Sequence, residues 1–330
     1  MSTQVFDWPK TKTGHSSGDP AITREFASDV RVGLVKSQKE LHSKYLYDDL
    51  GSSLFEAITH LPEYGLTRAD ERLLRLHAPA IAALLPARIA VIELGSGIGK
   101  KTRHLLKAIG GPALRYYPID VSADALARCE RDLSDIAEVH PLVQSYLDGM
   151  ARASAERRPD ESFLVMFLGS TIGNFERKCA FEFLRDLRRS LLPGDALLIG
   201  ADLVKELDRM LDAYDDPTGV TGAFNLNLLG RINRELGGDF RPRLFEHQAR
   251  WNHDHRRIEM HLCSRIDQTA FIPEADLSVN FRAGETIWTE SSHKFHLPEL
   301  DSMAAETGFR VEGQWTDQDW PFAESLWTVD

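Results

Sequence analysis

The sequence predicts an α/β protein: a doubly wound, largely parallel sheet with a second, smaller α+β subdomain inserted late in the chain. Three observations predict it. Apolar runs end in glycine-rich or acidic turns, helix-length segments separate these runs, and alternating apolar and polar residues follow the fifth run. Strands and helices in regular alternation form parallel sheets, whereas a period of two is typical of half-buried antiparallel strands.

The first predicted strand leads into residues 91–102, where an apolar run reaches Glu93 and then a glycine-rich turn. Gly95, Gly97 and Gly99 let the backbone bend tightly and approach a ligand closely. A nucleotide-like ligand binds above such a turn in doubly wound sheets. The spacing is G-x-G-x-G, not the G-x-G-x-x-G of dinucleotide-binding proteins, which favours S-adenosylmethionine (SAM) over NAD. An ordinary glycine-rich loop is the alternative.

Further strands are predicted at residues 115–121, 162–168 and 196–200. Asp120 ends the first of these, at about the distance from the glycine turn at which an acidic residue binds ribose hydroxyls. Asp148 follows another apolar run. A helix at residues 297–307 and an antiparallel strand pair at 309–316 and 324–329 close the sheet.

The chain on either side of this sheet predicts the second subdomain. Residues 48–61 have helical spacing, Thr67 is a candidate N-cap for the next helix, and residues 75–90 form a helix on the sheet. Helices at 205–214 and 221–236 precede antiparallel strands at 249–251, 257–265, 269–272, 277–281 and 284–295. We therefore expect a polar tail (1–20), a SAM-binding domain (69–204 plus 295–330) and a substrate-binding subdomain (21–68 plus 205–294).

The composition narrows the class of protein. The 330 residues are 42% apolar and 27% charged, with a net charge of −11, which argues against nucleic acid as a partner. No apolar stretch approaches the roughly 20 residues that cross a bilayer, and the start lacks the apolar core of a signal peptide. The three cysteines show no C-x-x-C spacing, so we expect a reducing, cytoplasmic location. As a separate expectation, the protein is a monomer.

Several long motifs then resemble one family, the histidine Nα-methyltransferases of ergothioneine biosynthesis. The matching segments are residues 44–59, 61–64, 67–68, 93–97, 167–175, 224–229, 231–236 and 258–262. The resemblance covers about residues 25–330. It implies a seven-stranded Rossmann-like methyltransferase sheet, SAM as cofactor, and transfer of three methyl groups to the α-amine of L-histidine, giving hercynine.

The resemblance also implies roles for single residues. Asn174 of the G-N-F motif contacts the amino-acid end of the substrate, and Tyr47 lies near the amine, so these two are the predicted catalytic residues. The remaining predicted substrate contacts are Tyr64, Tyr214 for the carboxylate, Met260 for the side-chain pocket, and Glu290 with Ser292 for the imidazole. The predicted cofactor contacts are Gly95, Lys101, Asp120, Asp148 and Gly149.

The chemistry explains these residue types. Methyl transfer to an amine requires its neutral form and depends on positioning and desolvation. Tyr47 is either the base or an orienting group, since the ordinary pKa of tyrosine is about 10. Glu290 can accept from an imidazole N–H and Ser292 can serve the other nitrogen, and residues two apart on a strand face the same side. Without the resemblance, exposed polar strand residues and, for Met260, core filling are the alternatives.

Other interpretations stay open. Gly65 and Leu66 depart from the family's usual sequence after the L-P-E-Y motif, so a relative that methylates tyrosine or tryptophan is a rival. An NAD-dependent dehydrogenase and a non-catalytic domain that stimulates a partner are two more. Lys101 is either a solvated charge or a partner for the methionine carboxylate of SAM. Histidines at 247, 253, 255 and 261 cluster in sequence, but no carboxylate–histidine framework accompanies them, so we expect no metal.

Overall fold

The computed structural model describes residues 20–111 and 114–330. The predicted polar tail lies outside the described residues except for Pro20, the first residue of the first helix. The chain divides into two compact units. Leu66–Val204 and Lys294–Asp330 form the first unit; the described residues through Gly65 and Lys205–His293 form the second.

The helices and strands are numbered along the chain. The helices are α1 (Pro20–Leu34), α2 (Asp49–Thr59), α3 (Leu66–Ala83), α4 (Arg103–Ile109), α5 (Ala123–Leu133), α6 (Tyr146–Ala155), α7 (Arg177–Arg189), α8 (Leu207–Asp212), α9 (Val220–Leu236) and α10 (Leu297–Thr307). The strands are β1 (Lys39–Glu40), β2 (Ile89–Leu94), β3 (Arg115–Asp120), β4 (Glu138–Val139), β5 (Leu142–Val143), β6 (Ser162–Phe167), β7 (Ala196–Asp202), β8 (Phe245–Asn252), β9 (Arg257–Ser264), β10 (Gln268–Ile272), β11 (Leu277–Phe281), β12 (Thr286–His293), β13 (Arg310–Asp317) and β14 (Phe322–Thr328).

The first unit contains one sheet in the order β13-β14-β7-β6-β2-β3-β4, with β5 also beside β3. The short strands β4 and β5 pair with successive parts of β3, so they share one position and the sheet has seven. Strands β7, β6, β2 and β3 pair in parallel, and β14 is antiparallel to both β7 and β13. This confirms the predicted seven-stranded Rossmann-like sheet with its antiparallel C-terminal strand pair.

Burial on both faces explains why the central strands are continuous apolar runs. Every residue of β2 and β7 is buried. Residues of α3, α4 and α5 join the core on one face, and residues of α6, α7 and α10 join it on the other. The result is a doubly wound arrangement in which the ends of β2 and β3 carry the glycine turn and Asp120.

The second unit contains a four-stranded sheet in the order β1-β12-β9-β8 and the separate hairpin β10-β11. Helix α9 packs on β8 and β9 and against α2. The antiparallel strands after residue 245 match the predicted segments, although β1 was not predicted. Three details were wrong: α8 is shorter than the predicted helix 205–214, Thr67 lies inside α3 instead of capping it, and the predicted helix 75–90 is too long. Helix α3 ends at Ala83, and residues 89 and 90 already belong to β2.

Within residues 20–111 and 114–330, every helix falls short of the length and apolarity that a bilayer span needs.

Candidate functional site

Backbone hydrogen bonds join the glycine turn of the first unit to strand β3. Gly95, Gly97 and Gly99 have φ of +73°, +52° and +67°, a region that favours glycine. The N–H groups of Gly95 and Ser96 donate to the Ile119 carbonyl at 2.8 and 3.2 Å. The turn therefore lies at the carboxyl ends of β2 and β3, where doubly wound sheets bind ligands.

Asp120 lies beside this turn. Its Oδ2 accepts from the Gly97 N–H and its Oδ1 from the Ser122 N–H, both at 2.9 Å. Burial raises the pKa of Asp120, and the two N–H groups act in the opposite direction. The carboxyl is held in place at the position where ribose binding is predicted.

Lys101 forms an ion pair with Asp70, a fully buried residue of α3. Burial lowers the pKa of Lys101, but Asp70 together with Glu93 and Glu324 acts in the opposite direction, and the net effect is a raised pKa. The same Asp70 Oδ2 accepts from the Gly169 N–H at 2.9 Å. The solvated-charge interpretation of Lys101 is therefore wrong, because the ammonium is anchored beside the loop that follows β6.

Asp148 and Gly149 lie in the first turn of α6. Ser145 caps this helix and donates to Asp148 Oδ2 at 2.7 Å, while Asp148 is exposed. A Cβ on Gly149 would lie 2.6 Å from Ile119, and the Gly149 N–H donates to the Ser145 carbonyl at 2.9 Å. The structure thus gives Gly149 a packing role that lets α6 approach β3, and its cofactor contact stays a prediction.

Two exposed apolar side chains near these acids were not predicted. Val121 directly follows Asp120 and is 53% exposed, and Leu147 precedes Asp148 and is 38% exposed. Exposed apolar side chains beside these acids suit a ligand with an apolar face. In the sequence, these side chains are recognisable as the apolar residues directly next to Asp120 and Asp148.

Asn174 ends the loop that follows β6, a short 3₁₀ turn at Thr171–Asn174. Ser170 has a φ of +56° and its Oγ accepts from the Asp202 N–H at 2.9 Å. Thr171 Oγ1 donates to the Leu168 carbonyl at 2.9 Å. In the part of the chain that the structure describes, the half-buried Asn174 side chain makes no hydrogen bond, so its amide is available to a ligand.

The second unit brings the predicted substrate residues Tyr47, Tyr64, Tyr214, Met260, Glu290 and Ser292 together. The Tyr214 and Ser292 hydroxyls lie 2.7 Å apart, and the Tyr47 hydroxyl donates to Glu290 Oε1 at 3.5 Å. The Tyr64 ring contacts the Tyr214 ring edge-on at 6.0 Å. A carboxyl and several hydroxyls therefore converge on one region of this unit.

Strand pairing sets the positions of Glu290 and Ser292. Glu290 lies opposite Met260, and a bulge at Thr289 shifts the register just before this pair. The Thr289 hydroxyl donates to the Met260 carbonyl at 3.0 Å and stabilises the bulge. Met260 and Glu290 are 2% and 9% exposed, so the predicted pocket residues are nearly buried neighbours rather than exposed strand residues.

An aromatic wall borders these groups. Phe224 and Phe55 each contact the Tyr47 ring edge-on at 5.5 Å, and Phe55 also lies 6.3 Å from Tyr64. Such contacts fix the two phenol rings and leave their hydroxyls as the polar ends. Phe224 begins the matched segment 224–229, but Phe55 was not assigned a role.

A buried histidine supports Tyr214 and was missed by sequence reasoning. His247 Nε2 lies 2.7 Å from the Tyr214 carbonyl, and the Asn225 amide lies 2.9 Å from His247 Nδ1 and donates to the His261 carbonyl at 3.2 Å. Burial lowers the pKa of His247. A neutral ring with its proton on Nε2 fits both partners. The sequence feature that could have revealed this contact is Asn225, a polar residue within the apolar face of α9.

The clustered histidines have other partners. His253 Nδ1 accepts from the Trp251 indole at 2.9 Å, and His247 belongs to the Tyr214 network. Among the described residues, no group of three or more histidine, cysteine or acidic side chains is arranged to hold a metal ion.

Comparison with known proteins gives one consistent result. A family model described as histidine-specific methyltransferase, SAM-dependent, matches residues 26–329. The histidine N-alpha-methyltransferase of Mycolicibacterium smegmatis is 42% identical over 304 residues, which is 90% of this chain and 93% of that protein. The protein of the same name from Mycobacterium tuberculosis is 40% identical over 95% of this chain and 96% of its own length. The L-tryptophan methyltransferase trpM of Psilocybe serbica is 26% identical, over 90% of each chain.

Proposed function

Because this chain belongs to the family of SAM-dependent, histidine-specific methyltransferases, we propose that it methylates the α-amine of L-histidine three times, giving hercynine for ergothioneine biosynthesis. The observation that carries the choice of substrate is the convergence of Glu290, Ser292, Tyr214 and Tyr47 in one unit. The NAD-dependent dehydrogenase and the non-catalytic domain are excluded by the family, which consists of SAM-dependent methyltransferases.

Glu290 and Ser292 recognise the imidazole in this proposal. An imidazole presents one donor and one acceptor nitrogen when neutral, and Glu290 and the Ser292 hydroxyl supply the complementary groups. Both side chains are more than nine-tenths buried, and the hydroxyls of Tyr47 and Tyr214 lie beside them, so the lining at this point is polar. This favours histidine over an apolar ring of similar size.

The amino-acid end is held by neutral donors. Tyr214 is the proposed carboxylate contact, and Tyr64 supports the Tyr214 ring from its edge. Asn174 of the first unit remains a proposed contact of the amino-acid end. The Tyr47 hydroxyl donates to Glu290 Oε1, and a phenol oxygen can also accept from an amine N–H. We therefore assign Tyr47 the role of orienting the amine, with solvent taking the proton.

The first unit is proposed to hold the cofactor. SAM supplies a methyl group bonded to a positively charged sulfur, which an amine lone pair displaces directly. Asp120 offers its carboxyl to ribose hydroxyls, Lys101 offers its ammonium to a carboxylate, and Gly97 leaves open space, since a Cβ there would meet no atom within 4 Å. Asp148 remains a proposed cofactor contact on exposed helix surface.

The rival within the family is methylation of tryptophan or tyrosine, because the chain is also similar to a tryptophan methyltransferase and departs from the family at Gly65 and Leu66. The Ser292 hydroxyl weighs against tryptophan, since it is proposed to serve the second imidazole nitrogen and an indole has one N–H and no acceptor nitrogen. Turnover measured on the three amino acids separates these candidates.

Purified protein incubated with SAM and L-histidine tests the proposal. We expect a product that carries three added methyl groups by mass spectrometry, and the absence of any mass gain would contradict it. We also propose a monomer that acts in the cytoplasm on L-histidine and its mono- and dimethyl forms, with neither nucleic acid nor membrane as a partner. The free cysteines of the described chain, Cys129, Cys179 and Cys263, fit a reducing compartment, and light scattering checks the monomer.

A further inference from the structure

A cluster of four ionisable side chains lies beneath the loop that follows β6 in the first unit. Asp70, Glu93 and Glu324 are at most 1% exposed, and they surround the ammonium of Lys101. We call these four residues the acid cluster. It holds three carboxyl groups and one cation, and sequence analysis singled out only Lys101 and the acid that precedes the glycine turn.

Two of the carboxyl groups have donors. The Thr102 hydroxyl lies 2.8 and 2.7 Å from the two Glu93 oxygens, and the Tyr116 hydroxyl also donates to Glu93. Asp70 Oδ2 accepts from Lys101 and from the Gly169 N–H. Both oxygens of Glu93 and one oxygen of Asp70 therefore have hydrogen-bond partners.

The other three oxygens have no donor. Among the described residues, Asp70 Oδ1 and both oxygens of Glu324 lack a hydrogen-bond partner. A Cβ at Gly200 would lie 3.0 Å from Glu324 Oε1 and 3.2 Å from the Gly169 nitrogen, which donates to Asp70, so the two carboxyls are neighbours. Two ionised carboxylates only accept hydrogen bonds, so neighbouring ones repel each other. A proton on Glu324 removes the repulsion and supplies the missing donor to Asp70.

We propose that Glu324 is held as a neutral acid that donates to Asp70, and that this pair is a positioning device that fixes the Lys101 ammonium for the carboxylate of the cofactor's methionine moiety. The inference rests on the proposed cofactor role of Lys101. Asp70 then accepts from Lys101, Gly169 and Glu324 together. Burial and the charge of Asp70 also raise the pKa of Glu324 well above its ordinary value.

The surrounding backbone accommodates this arrangement. A Cβ at Gly200 would lie 3.0 Å from Glu324 Oε1 and 3.2 Å from the Gly169 nitrogen. Glycine at position 200 on β7 thus leaves room for both Glu324 and the Gly169 loop. With Glu324 neutral, the cluster presents fewer negative charges to an incoming carboxylate, and the ammonium keeps a fixed site.

Infrared spectroscopy of the full chain detects the proton directly. The other titratable groups that face the cluster are Glu93, whose burial raises its pKa to about 7, Tyr116, whose pKa is raised well above 10, and Cys129, whose pKa rises to about 12. At about pH 9 ordinary carboxyls are ionised. We expect a residual carbonyl stretch of a protonated acid in the wild type, absent from Glu324→Gln; no such band in the wild type would overturn the proposal.

Calorimetric binding shows whether the pair positions Lys101. S-adenosylhomocysteine carries the methionine-type carboxylate, and 5′-methylthioadenosine lacks it. Glu324→Ala removes the donor to Asp70 and should weaken S-adenosylhomocysteine about tenfold, while 5′-methylthioadenosine changes little. Glu324→Gln keeps an N–H donor and should restore binding. Lys101→Met should show the same ligand-selective loss as Glu324→Ala.

The outcomes separate positioning from simple structural support. Equal losses for both ligands in Glu324→Ala, or a Glu324→Gln variant as weak as Glu324→Ala, would overturn the proposal. If a variant fails to fold, the infrared spectrum of the wild type still tests whether a protonated carboxyl is present. None of these measurements uses histidine. If L-histidine proves not to be the substrate, the result for Glu324 still stands. If the Glu324 proposal is overturned, the proposed substrate is unaffected.

Discussion

The Tyr214 hydroxyl lies 2.7 Å from the Ser292 hydroxyl, which joins the segment after α8 to strand β12. The proposed carboxylate contact and one of the two proposed imidazole contacts are therefore immediate neighbours. A substrate whose ring and carboxylate are separated by a short chain fits such a pair.

Tyr214→Phe should raise the KM for histidine with a small effect on kcat. The phenol is proposed to donate to a carboxylate, and a hydrogen bond to a charged group contributes about 1.5–3 kcal/mol, so we expect roughly a tenfold to hundredfold increase. Steady-state kinetics measure it. Ser292→Ala and the double variant complete a cycle, and strictly additive effects would contradict direct coupling of the two hydroxyls.

Glu290→Gln should reduce the discrimination between histidine and phenylalanine, whose ring has no N–H to donate. The ring N–H loses its charged acceptor while the volume at position 290 is kept, and the cost is again about 1.5–3 kcal/mol. Ratios of kcat/KM for the two amino acids give the result. An unchanged ratio would show that Glu290 does not select the ring.

His247 should make the protein less stable in mild acid. Burial lowers its pKa below 6.5, so the unfolded chain binds the extra proton first, and the free energy of unfolding falls as the pH drops below about 6.5. Asp215, Asp216 and His261 also face this ring. Denaturant unfolding from pH 7.5 to 5 compares wild type with His247→Gln, which keeps a donor to the Tyr214 carbonyl. The same slope in both proteins would assign the effect elsewhere.

Glu93 should make the protein less stable as the pH rises from acid to neutral, which is opposite to the effect of His247. Burial raises its pKa from 4.5 to about 7, so the folded state retains a proton that the unfolded state loses. The free energy of unfolding therefore declines as the pH rises from 4.5 to about 7, by at most about 3 kcal/mol. Glu93→Gln should lack this decline relative to wild type. A decline of equal size in the variant would rule out Glu93 as its source.

Gly99→Ala and Gly97→Ala form a matched pair. Both positions have positive φ, and each alanine costs about 1–2 kcal/mol for that conformation. A Cβ at Gly99 would also lie 2.7 Å from Cys129 Sγ, whereas one at Gly97 meets nothing within 4 Å. Unfolding should show a further loss of about 1–3 kcal/mol for Gly99→Ala. Equal stabilities would contradict the packing at Gly99.

Sequence reasoning predicted the sheet because apolar runs and glycine or acidic turns report backbone burial locally. The ends of β2 and β3 follow from such runs, and so does the antiparallel pair at the C-terminus. Thr67 was mistaken for a cap because capping residues also occur inside helices, and the packing of Leu66, which is 4% exposed, extends α3 to include it.

The candidate site was predicted less completely than the sheet. Tyr47, Tyr214 and Glu290 were found through resemblance, and their mutual contacts were not encoded in any local pattern. The partnerships His247–Tyr214 and Asp70–Glu324 join residues far apart in the chain. A buried polar residue signals that a partner exists, but only the fold shows which one it is.

A crystal structure with L-histidine and S-adenosylhomocysteine tests the central claim most directly. We predict the imidazole nitrogens within hydrogen-bonding distance of Glu290 and Ser292, with the amine beside Tyr47. An imidazole bound elsewhere, with Glu290 and Ser292 still occupied only by their protein partners, would contradict the account.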